Sequence, residues 1–97
     1  SRKFDFFYFN KVFNGVFKNL TIIDYYIILY SDRSIKSIDI VELIIIRMCL
    51  FEILYSHKCS FFDILKSSFI LSKMYGSNNG YLFISYVLKS FYLSCYY

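Results

Sequence analysis

The chain has 97 residues, enough for one small domain built round a single core. Hydrophobic residues make up 58% of it, which excludes disorder arising from low hydrophobicity, and a net charge of +4 favours polyanionic partners. Cys49, Cys59, Cys95 and the lone His57 are scattered without a CxxC pair, which excludes a zinc site from local ligands; no metal or cofactor is expected, and the thiols read as free cysteines of a reducing cytoplasm.

Proline is absent and glycine is confined to Gly15, Gly76 and Gly80, so helix ends must be read from polar breaks. Phe4 to Phe17 is a first helical segment, apolar on most sides, with Lys11, Asn14 and Lys18 giving one wet stripe. The chain opens Ser1-Arg2-Lys3 rather than on Met, the expectation for a fragment or a processed product, and no signal peptide is visible. Thr21 to Tyr30 is a second helix, with Thr21 as its cap and Asp24 as an acidic first turn. Ser31-Asp32-Arg33-Ser34 reads as a break.

A long third helix is expected over Asp39 to Ser56, capped by Asp39, with Glu42 placed where the helix dipole favours a negative charge. Apolar residues cover nearly every face of it, the pattern of a helix buried at the centre of a bundle. A membrane span is the competing reading, given a mean hydropathy of +0.48. Spanning takes roughly 20 predominantly apolar residues, however, and Glu42, Arg47 and Glu52 interrupt the run Ile40–Tyr55. Ser60 to Tyr75 is amphipathic, with Phe61, Ile64, Leu65, Phe69, Leu71 and Tyr75 on one side and Asp63, Lys66 and Lys73 opposite. Gly76 is expected to end it in a left-handed cap. After the turn Ser77–Gly80, the last helix carries the core stripe Ile84, Val87, Leu88, Phe91, with Phe83 and Tyr86 outside it.

No catalytic residues are expected. The chain has no GxSxG, P-loop, dinucleotide fingerprint or HExxH, and its seven carboxylates form no acid/base pair on one helical face. Ser56 and His57 are adjacent in sequence and diverge by about 100° on a helix, so with Asp63 they make no triad.

The stretch Val41-Glu-Leu-Ile-Ile-Ile-Arg-Met-Cys-Leu-Phe-Glu-Ile-Leu-Tyr55 resembles the signature helix of the NusB family, with Ile46-Arg47 standing for its "L-R" and Phe51-Glu52-Ile53 for its "Y-E-L". Upstream, Phe9-Asn-Lys-Val-Phe-Asn-Gly-Val16 is similar to the family's "F-x-x-x-L-x-x-G-V", and Asp24 falls where the family places an Asp eight residues later. Downstream, Ile70-Leu-Ser-Lys-Met-Tyr-Gly76 resembles "E-L-A-K-x-F-G", and Phe83-Ile-Ser-Tyr-Val-Leu88 resembles "F-V-N-G-V-L". Four pieces in the right order cover nearly the whole chain. The fold implied is an all-α NusB-like bundle of about seven helices, of which this chain, as a single domain, holds the last five and lacks an arginine-rich N-terminal segment.

The same resemblance implies a transcription antitermination factor that binds single-stranded boxA-type RNA with the ribosomal protein NusE and joins an RNA polymerase antitermination complex during ribosomal RNA transcription. It places Asn79 and Phe83 against RNA, and an aromatic freed from the core beside Lys73 suits stacking on an unpaired base. It places Arg33, Lys36 and Glu42 on the protein-partner surface, Lys36 being basic where relatives are often acidic. Two departures stand out: Leu65-Lys66-Ser67-Ser68 replaces the family's "I-N-E-A", and Tyr86 replaces a glycine. The alternatives are a NusB-like domain of a ribosomal RNA cytosine-5 methyltransferase and a small helical membrane-associated or assembly protein.

Overall fold

With so few glycines and no proline, the helices of this chain end on capping side chains and backbone turns. The computed structural model describes residues 6–96. Among them are five α-helices and no strand: α1 Phe6–Lys18, α2 Leu20–Ser31, α3 Ile40–Phe51, α4 Phe61–Tyr75 and α5 Gly80–Tyr96. A 3-10 turn, Ile35–Ser37, leads into α3, and a π-helical turn, Glu52–Ser56, prolongs it. The architecture is all-α, as the sequence implies, and each expected segment has its helix. Phe4, where the first segment was expected to start, lies outside the described residues.

The caps divide. Asp39 caps α3 as expected, its carboxylate accepting from the backbone N–H of Val41 and Glu42 at 3.1 and 3.2 Å. Ser60 caps α4 by accepting from Asp63 N–H at 3.1 Å. Thr21 caps nothing, because α2 already starts at Leu20. Asn19 stands at that junction, and its side-chain amide turns back to donate to the Gly15 carbonyl at 2.8 Å. Gly76 is extended, at φ −96°, rather than left-handed. A Cβ there would stand 2.8 Å from the Ser72 carbonyl oxygen, so close approach and not a positive φ is what the position demands of its residue. Among the described residues the left-handed positions are Asp32 and His57, both at φ 57°, closing α2 and the π-helical turn.

α3 is the hub, packed against each of the other four α-helices. Its Ile46 and Leu50 are wholly enclosed with Ile23 and Ile27 of α2 and Ile84, Val87, Leu88 and Phe91 of α5. The predicted stripe of α5 is therefore core in all four positions. Phe91 meets the rings of Tyr26 and Tyr30 edge-on at 5.0 and 5.8 Å. α3 is not buried all round, however: Ile40 and Ile44 are 61% and 48% exposed. Apolarity on every face does not distinguish the strip that neighbours cover from the one they leave.

α4 keeps most of its expected face, with Ile64 buried and Phe61, Leu65 and Leu71 packed against the core. Ile64, Ser68 and Ser72 point inward, while Phe69 and Tyr75 face solvent. Two fully enclosed serines let α4 lie close to its neighbours, and Ser68 satisfies its hydroxyl by donating to the Leu65 carbonyl at 2.7 Å. Ser68 is one of the departures from the family pattern, and it is accommodated. So is Tyr86, which is exposed and takes no internal room.

Burial pushes the Cys49 thiol up to about 12, leaving it an inert core residue, whereas Cys59 and Cys95 are exposed. Burial also raises the carboxyl of Glu52 above its ordinary value. The folded state therefore holds that proton more tightly than the unfolded chain does. The neutral form is favoured at low pH, and stability falls as pH rises from the unfolded pKa, near 4.3, through the folded one. Glu52→Gln is expected to match the parent in urea midpoint near pH 4 and to exceed it at pH 7. Equal midpoints at both values would show that the carboxylate is adequately solvated.

Candidate nucleic-acid and partner interface

Two connections meet beside the first turn of α3. The α2–α3 connection is pinned from below: the backbone N–H of Arg33 donates to Ser31 Oγ at 3.1 Å, Ile35 packs on the core and Ile38 is buried. Ser37 Oγ donates to the Ser34 carbonyl at 2.8 Å and braces the 3-10 turn. The α4–α5 connection is tied to α3 itself, through Ser77 Oγ donating to Glu42 Oε2 at 3.0 Å. Gly80 completes this seat, since a Cβ there would come within 2.7 Å of the same oxygen.

The α2–α3 connection also meets the first turn of α5 at the surface. The guanidinium carbon of Arg33 lies 4.4 Å above the ring centroid of Phe83, the geometry of a cation on an aromatic face. Phe83 is half-buried against the core, so the ring is neither free nor enclosed. Arg33 is exposed, and its guanidinium forms no ion pair among the described residues. Lys36 is exposed three residues on, and Asn79 is exposed across the connection, its carbonyl accepting from Leu82 N–H at 3.1 Å.

The cation over Phe83 is thus Arg33 and not Lys73. Lys73 is exposed, with its ammonium 5.5 Å above Phe69, whose ring meets Tyr81 edge-on at 4.8 Å. Positions 81 and 83 diverge by about 200° on a helix, so the two aromatic–cation groups flank opposite sides of the first turn of α5. Lys66 lies over Phe62 in the same way, at 5.5 Å. In both pairs the lysine follows the ring by four residues, one helical turn on, and both phenylalanines stay exposed. Glu42 is only 7% exposed, with its carboxylate taken up by Ser77. It can order the two connections, but it has little surface to offer a partner.

Sequence reasoning missed two features. Phe69 and Tyr81 went unpaired because their contact depends on how α4 meets α5. The second is an apolar groove of about 360 Å³ between α1 and α3, lined by Phe9, Phe13, Phe17, Leu20, Ile44 and Met48. The exposed face of Ile44 predicted above as buried forms one wall of it. Arg47, at its edge, is committed elsewhere: Nε and Nη2 donate to the two carboxylate oxygens of Asp24 at 2.9 and 2.8 Å. Asp24 is therefore the partner of Arg47 across α2 and α3; with α2 starting at Leu20 it lies beyond the first turn and is not the helix-start charge expected from the sequence.

Among the described residues no three His, Cys, Asp or Glu side chains gather as metal ligands, and no helix is long and apolar enough to cross a membrane.

The chain matches the model of the NusB family over residues 2–92. It is similar to the transcription antitermination protein NusB of Xanthomonas axonopodis pv. citri (strain 306), 27% identical over 81 residues that cover 84% of this chain and 51% of that one. The proteins of the same name from Xanthomonas euvesicatoria pv. vesicatoria (strain 85-10) and Xanthomonas oryzae pv. oryzae (strain PXO99A) are 27% and 26% identical over the same length, with 50% and 52% of their chains covered. The chain thus spans about half the length of the curated relatives it matches. No solved structure matches it.

Proposed function

The chain belongs to the NusB family, whose model matches residues 2–92, and from that membership we propose that it is a non-catalytic, RNA-binding factor of transcription antitermination. Its ligand in this reading is single-stranded boxA-type RNA, bound together with NusE, within the RNA polymerase antitermination complex of the cytoplasm. The observation that carries the reading is the exposed, unpaired cation of Arg33 held over Phe83, with Lys36 and Asn79 on the same two connections. Cations neutralise phosphates and planar groups receive unpaired bases, which is what single-strand recognition requires. Lys73 adds a phosphate contact on the far side of the α5 start. Arg33 and Lys36 also serve the protein partner, and Glu42 acts by ordering both connections from within.

Binding to labelled boxA-type RNA is the direct test. Three cations on single-stranded RNA give an expected log–log salt slope of about −2. Affinity should rise when NusE is added and fall when the RNA sequence is scrambled. Equal binding of scrambled RNA, with no gain from NusE, would remove the reading.

A further inference from the structure

We propose that Arg33, seated over Phe83, is the surface on which an unpaired base lies, so that the guanidinium and not the phenyl ring is what the RNA touches. The inference rests on the RNA-binding reading above and adds which side chain takes the base.

Three observations carry it. The guanidinium carbon stands 4.4 Å over the centroid of the half-buried Phe83 ring, so Arg33 covers one of its faces. Arg33 is nevertheless exposed. No carboxylate claims it: the ion pair formed among the described residues is Arg47 with Asp24, on another face of the bundle. An arginine already held against an aromatic loses less freedom on receiving a base than one free in solvent. The support under the pair is fixed as well. Ser31 Oγ holds the Arg33 backbone, and the core holds Phe83.

The platform discriminates by chemistry. A base must be unstacked to lie on it, so duplex RNA is excluded. Larger π-faces stack more strongly, so a purine is favoured at the nucleotide above Arg33. Lys36, on the same connection, is placed for a backbone phosphate, and Asn79 for polar contact from the opposite connection.

Arg33→Lys separates stacking from charge, because it keeps the cation and removes the plane. The probe is a short single-stranded boxA-type RNA carrying 2-aminopurine at each purine position in turn. With the parent protein, one position should show quenched fluorescence on binding. With Arg33→Lys that quenching should disappear, affinity should fall about tenfold, and the salt slope should be unchanged. Lys36→Ala is the counterpart: the quenching stays, and the slope falls by about 0.7. Thermal melting checks that both variants fold as the parent does. Parent-like affinity and quenching in Arg33→Lys would overturn the platform while leaving RNA binding intact. Absence of any RNA binding by the parent would instead remove the functional reading, and the platform with it.

Discussion

Gly15→Ala is expected to destabilise the bundle by about 2 kcal/mol, although alanine is the better helix former. Gly15 sits within α1, where replacing glycine by alanine ordinarily gains up to about 1 kcal/mol. Here a Cβ would overlap the ring of Phe51, itself 6% exposed and held between α1 and the rest of α3. The ring has nowhere to retreat without moving its neighbours, and overpacking of that kind costs about 1–3 kcal/mol before the helical gain is subtracted. For a chain of this size the loss corresponds to a melting temperature lower by about 10 °C. Gly15→Ala combined with Phe51→Leu should recover much of it, since leucine vacates the space the new methyl needs. A Gly15→Ala variant as stable as the parent would mean that Phe51 does not press on α1.

The same contact shows what was legible in the sequence. Gly15 and Phe51 come from two of the four stretches that resemble the family, and so do Asp24 and Arg47 if the Asp following the first stretch is counted with it. Read along the chain these are single letters in apolar helical strings; in the fold they are contacts between helices. The periodicity of α5 was enough to find its buried stripe, because each of Ile84, Val87, Leu88 and Phe91 is both large and apolar. α4 is legible only in part, for the complementary reason: Phe61, Ile64, Leu65 and Leu71 lie on the core as their size suggests, and Phe69 and Tyr75 do not. Its close contacts use Ser68 and Ser72, and a pattern that counts large apolar side chains cannot see a face made of small ones. The exposed Ile40 and Ile44 fail in the opposite direction, in a chain where isoleucine is common on either side of the surface.

The candidate interface was legible by residue and not by arrangement. Arg33, Lys36, Asn79 and Phe83 were each singled out, but Arg33 was set with a protein partner and Phe83 with RNA. Only the packing of the α2–α3 connection against α5 reveals that the two side chains form one group. Glu42 shows the reverse: a charge at a helix start looks available in sequence, and Ser77, thirty-five residues away, takes it inside.

The second large effect expected is from the Arg47–Asp24 pair. Both side chains are about one-fifth exposed, and the bond is bidentate. A pair fully in solvent contributes about 0–1 kcal/mol, whereas removing one partner of a buried pair costs about 3–5 kcal/mol. This geometry lies between, and about 2–3 kcal/mol is expected for either Asp24→Asn or Arg47→Met. Arg47→Met leaves the Asp24 carboxylate without its fork, and Asp24→Asn leaves a cation at the edge of an apolar groove. The double variant should lose less than the sum, with a coupling of about 1–2 kcal/mol, because no charge is then stranded. Additive losses would reduce the pair to a solvent-screened contact. The cycle also bears on function. Arg47 belongs to the signature "L-R", and its donors are turned to Asp24 of α2. The double variant, once shown to be folded, should therefore keep the RNA affinity and salt slope of the parent, while Arg33→Lys alone should not.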